Sequence, residues 1–118
     1  EKFAALFDGF SIGSNDLTQL TLGIDRDSSI INNLFSEQDE ASKMMIGMMI
    51  EKASQSGTKI GLCGQAPSDY PEFAQFLVKA GIDSISFNPD SLLKGIENIN
   101  KAEQELKPKK ENLLLKSV

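Results

Sequence analysis

Three short runs of apolar and β-branched residues recur along the chain, and each runs out into a loop that leads to a helical pattern. They are Gly9-Phe10-Ser11-Ile12-Gly13, Lys59-Ile60-Gly61-Leu62-Cys63 and Ser84-Ile85-Ser86-Phe87. Runs of this length and composition read as buried parallel strands. One strand per helix, repeated, predicts an α/β fold in which crossover helices join a parallel sheet. Ligands of such folds sit at the carboxyl ends of the strands. The residues at those ends are therefore the first candidates for chemistry.

The segments between the strands carry a 3.6-residue apolar period. Residues 39–55 place Ala41, Met44, Met45, Met48 and Met49 on one side, which reads as a core face, with Ser36 as cap and Gly57 as stop. The next helix is expected to start at Asp69-Tyr70-Pro71-Glu72 with Asp69 as cap, to bury Phe73, Phe76, Leu77 and Ala80, and to end at Gly81. The last begins at Asn88-Pro89, a cap followed by proline at the first helical position, and carries Leu92, Leu93, Ile96 and Ile99 as its apolar stripe. A helix end is expected over Glu1–Leu6. Ser14 to Ser36 is longer than the usual βα connection of about 2–6 residues. It is expected to hold a short extra helix over Asp16–Leu22, capped by Ser14 or Asn15.

Composition narrows the function. The 118 residues suffice for one domain with a modest core. Histidine is absent, which excludes a histidine general base, a histidine metal ligand and a phosphohistidine within this chain. Tryptophan is absent and there is one tyrosine, Tyr70, so stacking on nucleic-acid bases is not expected. The first 100 residues hold seven basic against fourteen acidic side chains, a balance that disfavours a nucleic-acid partner. Lys107-Pro108-Lys109-Lys110 reads as a solvated end. The longest apolar run, Met44–Ile50, is too short to span a membrane. The absence of a secretory signal and the single cysteine lead us to expect a cytoplasmic setting.

Two segments stand at strand ends. Ser14-Asn15-Asp16 offers a hydroxyl, an amide and a carboxylate. The carboxylate suits Mg²⁺, a hard cation that takes oxygen ligands. The same residues also suit a turn and helix cap. Cys63 lies between Leu62 and Gly64 and reads either as a small filler or as a ligand-facing thiol. A free thiol has a pKa of about 8.5, which suits moving a proton better than standing ready as a nucleophile. Arg26, the only arginine, lies in Asp25-Arg26-Asp27 and reads first as part of a local salt-bridged loop, with a substrate role as the second reading.

Gly13-Ser14-Asn15-Asp16-Leu17-Thr18-Gln19, Asp25-Arg26-Asp27, Gly61-Leu62-Cys63-Gly64 and Gly81-Ile82-Asp83-Ser84-Ile85-Ser86, in this order and spacing, resemble the pyruvate/phosphoenolpyruvate-binding barrel of the PEP-utilising enzymes. Gln65-Ala66-Pro67-Ser68-Asp69 resembles the synthase branch, which makes PEP from pyruvate, ATP and water with release of AMP and phosphate. The dikinase and phosphotransferase enzyme I branches typically carry Glu at the position of Gln65. The resemblance implies a partial (βα)₈ TIM barrel, its last three βα units, over residues 1–105, with a charged tail at 106–118. It implies Mg²⁺ as cofactor with Asp16 as ligand, pyruvate or PEP contacts from Gly13, Ser14, Asn15 and Asp16, and Cys63 as the proton donor to the enolate carbon.

The family's second Mg²⁺ ligand, its substrate-binding arginines, its phosphohistidine domain and its ATP-binding domain are expected outside this chain. The chain alone is therefore expected to be inactive, and to self-associate through its open sheet edges. The alternative readings are a fragment of a dikinase or of phosphotransferase enzyme I, or a small non-catalytic α/β module that binds an anion. No membrane partner is expected.

Overall fold

The computed structural model describes residues 1–106. It is a three-stranded parallel sheet of order β1-β2-β3 with five α-helices. The strands are β1 (Gly9–Gly13), β2 (Lys59–Cys63) and β3 (Ser84–Ile85). The helices are α1 (Ser14–Leu22), α2 (Glu40–Gln55), α3 (Ala66–Asp69), α4 (Pro71–Ala80) and α5 (Leu92–Leu106). The β-then-α order read from the sequence holds throughout. The third strand is shorter than expected, ending at Ile85, although Ser86 N still donates to the Leu62 carbonyl at 3.0 Å. Glu1–Leu6 forms hydrogen-bonded turns, not a helix end.

The strands are not buried on both faces. Phe10, Ile12, Ile60, Leu62 and Ile85 alternate toward the helices, where Ile12, Ile60 and Leu62 join Ile46, Ile50, Ala53, Ala66, Phe73 and Leu77 in the core. Alternation with a period of two sends every other side chain the opposite way. Gly9, Ser11 and Gly13 of β1, Lys59, Gly61 and Cys63 of β2, and Ser84 of β3 therefore share the second face, and Ser11, Lys59, Cys63 and Ser84 are exposed on it. This face is closely spaced: a methyl group on Gly61 would meet the Ser84 hydroxyl.

Several helix details differ from expectation, each for a local reason. In α2 the buried residues are Ser42, Ile46, Ile50 and Ala53, while Met44, Met45 and Met48 are exposed. The β-branched isoleucines lie on the sheet side, Met49 packs at the margin of the core, and Ala41 is exposed with the other three methionines. Asp39, not Ser36, caps α2, its Oδ1 accepting from Ala41 N at 2.9 Å. Asp69 is not a cap but the last residue of the one-turn α3, and Pro71 opens α4 after Tyr70. Phe73, Ala74 and Leu77 are the buried residues of α4, with Phe76 and Ala80 packed at the margin. Gly81 ends it with φ of 90°, a left-handed cap that glycine adopts without penalty.

Asn88 precedes a short 3₁₀ turn, Pro89–Ser91, that leads into α5, and its side chain reaches Gln65 Oε1 at 3.4 Å instead of capping. Of the expected α5 stripe, Leu92, Leu93 and Ile96 are exposed and Ile99 is half-buried; Gly95 and Ala102 are the buried residues. No helix of the described residues is long and apolar enough to cross a membrane. The charged tail lies, from residue 107 on, outside the described residues.

Candidate active site

Parallel pairing sets Gly13 opposite Cys63, so the two carboxyl ends of β1 and β2 lie side by side. The chain turns directly from β1 into α1. Gly13 is the residue before the first helical turn, and Ser14 and Asn15 lie inside that turn, not at the cap. This frees both side chains from capping. They face instead the connection between α1 and α2 and the turn after β2.

Ser14 is fully buried. Its hydroxyl donates to Glu37 Oε1 and lies 3.3 Å from the Cys63 carbonyl. The Asn15 amide is oriented by its neighbours. Assigned by hydrogen-bond polarity, its Nδ2 lies toward Glu37 Oε2 at 2.9 Å and Oε1 at 3.2 Å, and its Oδ1 toward Arg26 Nη1 at 3.1 Å. This is the orientation in which each donor meets an acceptor. Glu37 is only 7% exposed, so its carboxyl group depends on these donors in place of water.

Cys63 is exposed at the end of β2, and its Sγ lies 3.7 Å from the Ser11 hydroxyl, which donates to it from the same open face. The structure thus gives the thiol an accessible position and not a filler's. Gly13, Asn15, Asp16, Arg26, Cys63 and Gly64 line one pocket of about 180 Å³. Gly64 borders it because nothing larger fits: a methyl group there would fall on the Ser14 hydroxyl, with Glu37 Oε1 at 3.2 Å.

Arg26 departs from its expected role. It forms none of the ion pairs among the described residues. Asp25 spends its Oδ1 on the backbone N–H of Asp27, at 2.9 Å, and the guanidinium turns to Asn15 and the pocket. Glu37 was missed altogether. It sits in the polar stretch Ser36-Glu37-Gln38-Asp39, where no local pattern separates a site residue from loop. Ser11 was also missed, although its place two residues before Gly13 puts it on the thiol's face by alternation alone.

Chemically, the pocket combines a thiol, a guanidinium, an amide and a carboxylate. Asp16 can give a divalent cation one hard oxygen ligand. Among the described residues no three His, Cys, Asp or Glu side chains cluster around a metal position, so Asp16 would be one ligand and not the set.

Comparison with known proteins matches residues 1–104 to the family described as PEP-utilising enzyme, PEP-binding domain. A phosphoenolpyruvate synthase of Synechocystis sp. is 62% identical over 106 residues, 90% of this chain and 13% of that protein. One of Aquifex aeolicus is 58% identical over 106 residues, 90% of this chain and 12% of that protein. One of Helicobacter pylori is 55% identical over 107 residues, 91% of this chain and 13% of that protein. The chain thus spans about one eighth of the length of the curated relatives it matches. With nearly all of its described residues inside the match, the chain belongs to the PEP-binding domain family of the PEP-utilising enzymes.

Proposed function

We propose that this chain is the C-terminal part of a phosphoenolpyruvate synthase, forming the last three βα units of its (βα)₈ barrel and one side of the pyruvate site. The high identity to proteins of that name supports the activity. The one-sided sheet supports the barrel. Parallel sheets normally have both faces covered, yet here small and polar residues line a face with no helix on it. The inside of a closed barrel, filled by side chains from strands around the ring, is the covering such a face calls for.

The observation that carries the site is the thiol of Cys63 in one pocket with Asn15, Asp16 and Arg26. In the synthetic direction Cys63 as thiolate takes a proton from the methyl carbon of pyruvate. The C–H electron pair moves into the enolate, and the enolate oxygen receives the phosphoryl group from a phosphohistidine elsewhere in the enzyme. In reverse, the Cys63 thiol returns the proton to the methylene carbon. The Ser11 hydroxyl donates to the sulfur from the same open face. Gly13 allows close approach of the backbone, and Ser14 and Asn15 shape and line the cradle. Asp16 would hold Mg²⁺ together with ligands from outside this chain. That ion, when bound, supplies positive charge for the developing enolate oxygen.

The test is exchange of the pyruvate methyl hydrogens with solvent deuterium, followed by NMR in the full-length enzyme carrying this chain. Cys63→Ala is expected to lower the exchange rate by at least about 100-fold, the lower range for a lost general acid–base group. Exchange at the wild-type rate would sink the assignment.

A further inference from the structure

We infer that Glu37 is a positioning residue for this site: it sets which way the Asn15 amide faces and holds the Ser14 hydroxyl against the turn at Gly64. The inference rests on the reading of residues 13–16 and Cys63 given above.

Glu37 is not needed where it stands in the chain. The start of α2 is capped by Asp39, and the backbone N–H of Gln38 is taken by the Ser36 hydroxyl at 3.2 Å. The side-chain partners of Glu37 are instead Ser14 and Asn15, more than 20 residues earlier, and Gly64 lies next to the Ser14 contact. A carboxylate so placed is held for what it does to those three segments.

What it does follows from hydrogen-bond polarity. An amide presents two donors on one side and a carbonyl oxygen on the other, and the two ends have nearly the same shape. A carboxylate only accepts, so it draws the Asn15 Nδ2 inward with both oxygens in reach. The Asn15 Oδ1 is then left facing outward, toward Arg26 and the pocket. A side chain at 37 with a donor of its own would pair equally well with a reversed Asn15, and the pocket would then meet an N–H where it now meets an oxygen. The same carboxyl group accepts the one proton of the Ser14 hydroxyl, whose oxygen lies against Gly64 in the turn after Cys63. One buried group therefore orients the Asn15 amide and holds the Ser14 side chain against Gly64 in the thiol-bearing turn. Bonds to a buried charged acceptor are stronger than neutral ones, and their loss leaves Asn15 and Ser14 donors unpaired.

The test uses Glu37→Gln and Glu37→Asp in the full-length enzyme, read by pyruvate methyl exchange and thermal melting. Glu37→Gln keeps size and removes the acceptor-only polarity. It is expected to raise the pyruvate KM or lower the exchange rate by roughly 10- to 100-fold, the range for partners that orient a site group. Its melting temperature should stay within about 4 °C of wild type. Glu37→Asp keeps the polarity on a shorter stem and should recover most of the loss. Wild-type kinetics in Glu37→Gln would overturn the inference. So would equal impairment of both variants, or a Gln variant that does not fold, since each would reduce Glu37 to a structural role. Cys63→Ala in the same assay separates the two claims. If it keeps exchange, the proton-transfer reading fails regardless of Glu37. If it loses exchange while Glu37→Gln behaves as wild type, only the positioning role falls.

Discussion

Gly64 shows how little space the site leaves. Its missing side chain makes room for the contact between Ser14 and Glu37. Gly64→Ala is expected to push these apart and to destabilise the protein by about 1–3 kcal/mol, the usual range for overpacking. Chemical denaturation measures this, and pyruvate exchange should fall with it. Cys63, Asn15 and Asp16 were legible in the sequence because they follow directly on strand signals, and a strand end in an α/β fold is a known ligand position. Glu37 and the true direction of Arg26 were not. Both depend on a long connection folding back on the start of α1, and nothing within a few residues of either encodes that return. Asp25-Arg26-Asp27 even points the wrong way, since adjacent opposite charges suggest a pair that the Asp25 backbone contact forestalls.

At the scale of elements, the period of each segment decided its type, and the packing partner decided which face is buried. Strand alternation put Ile60 and Leu62 inside, and α2 and α4 meet them with Ile46, Ile50, Phe73 and Leu77. Phe73 is completely buried, with the Phe76 ring at 5.9 Å in an edge contact. Phe73→Ala is expected to cost about 3–5 kcal/mol, read as a lower denaturation midpoint. At the opposite end of the sheet from the pocket, Asp83 ties β3 to β2. Its carboxylate accepts from Lys59 Nζ at 2.7 Å and from the Ile60 backbone N–H at 2.9 Å.

The lysine contact first, then the backbone donor, hold the Asp83 carboxyl below its usual range, and Asp83 in turn raises Lys59. A lowered carboxyl stabilises the fold fully above the ordinary aspartate value of about 3.9, and that contribution is lost as pH falls through the folded value. The raised lysine contributes below its ordinary value of about 10.4 and is lost as pH climbs through the folded one. Asp83→Asn should therefore melt lower than wild type between about pH 5 and 9, with the gap closing below about pH 4. Thermal melts across that range check it. A gap that persists at the lowest pH would contradict the account.

For the whole molecule, the open face and the exposed Phe3, Leu6, Phe7, Leu92, Leu93 and Ile96 argue for more protein around this chain in its working form. The isolated 118-residue chain is expected to make no PEP from pyruvate and ATP. In sedimentation it should form oligomers through the edges of β1 and β3 that are unpaired among the described residues. A sharp monomer at high concentration would count against that association. By itself, the sequence determined the order of strands and helices, the parallel sheet and the strand-end location of Cys63 and Asp16. These follow from hydrophobic period and short-range turn chemistry, which a chain carries locally. Only the tertiary structure decided that the strands bury one face, that Met44, Met45 and Met48 of α2 face outward and that Glu37 reaches Ser14 and Asn15. Those facts depend on what packs against each segment, and contacts between residues far apart in sequence leave no mark in the pattern of either one.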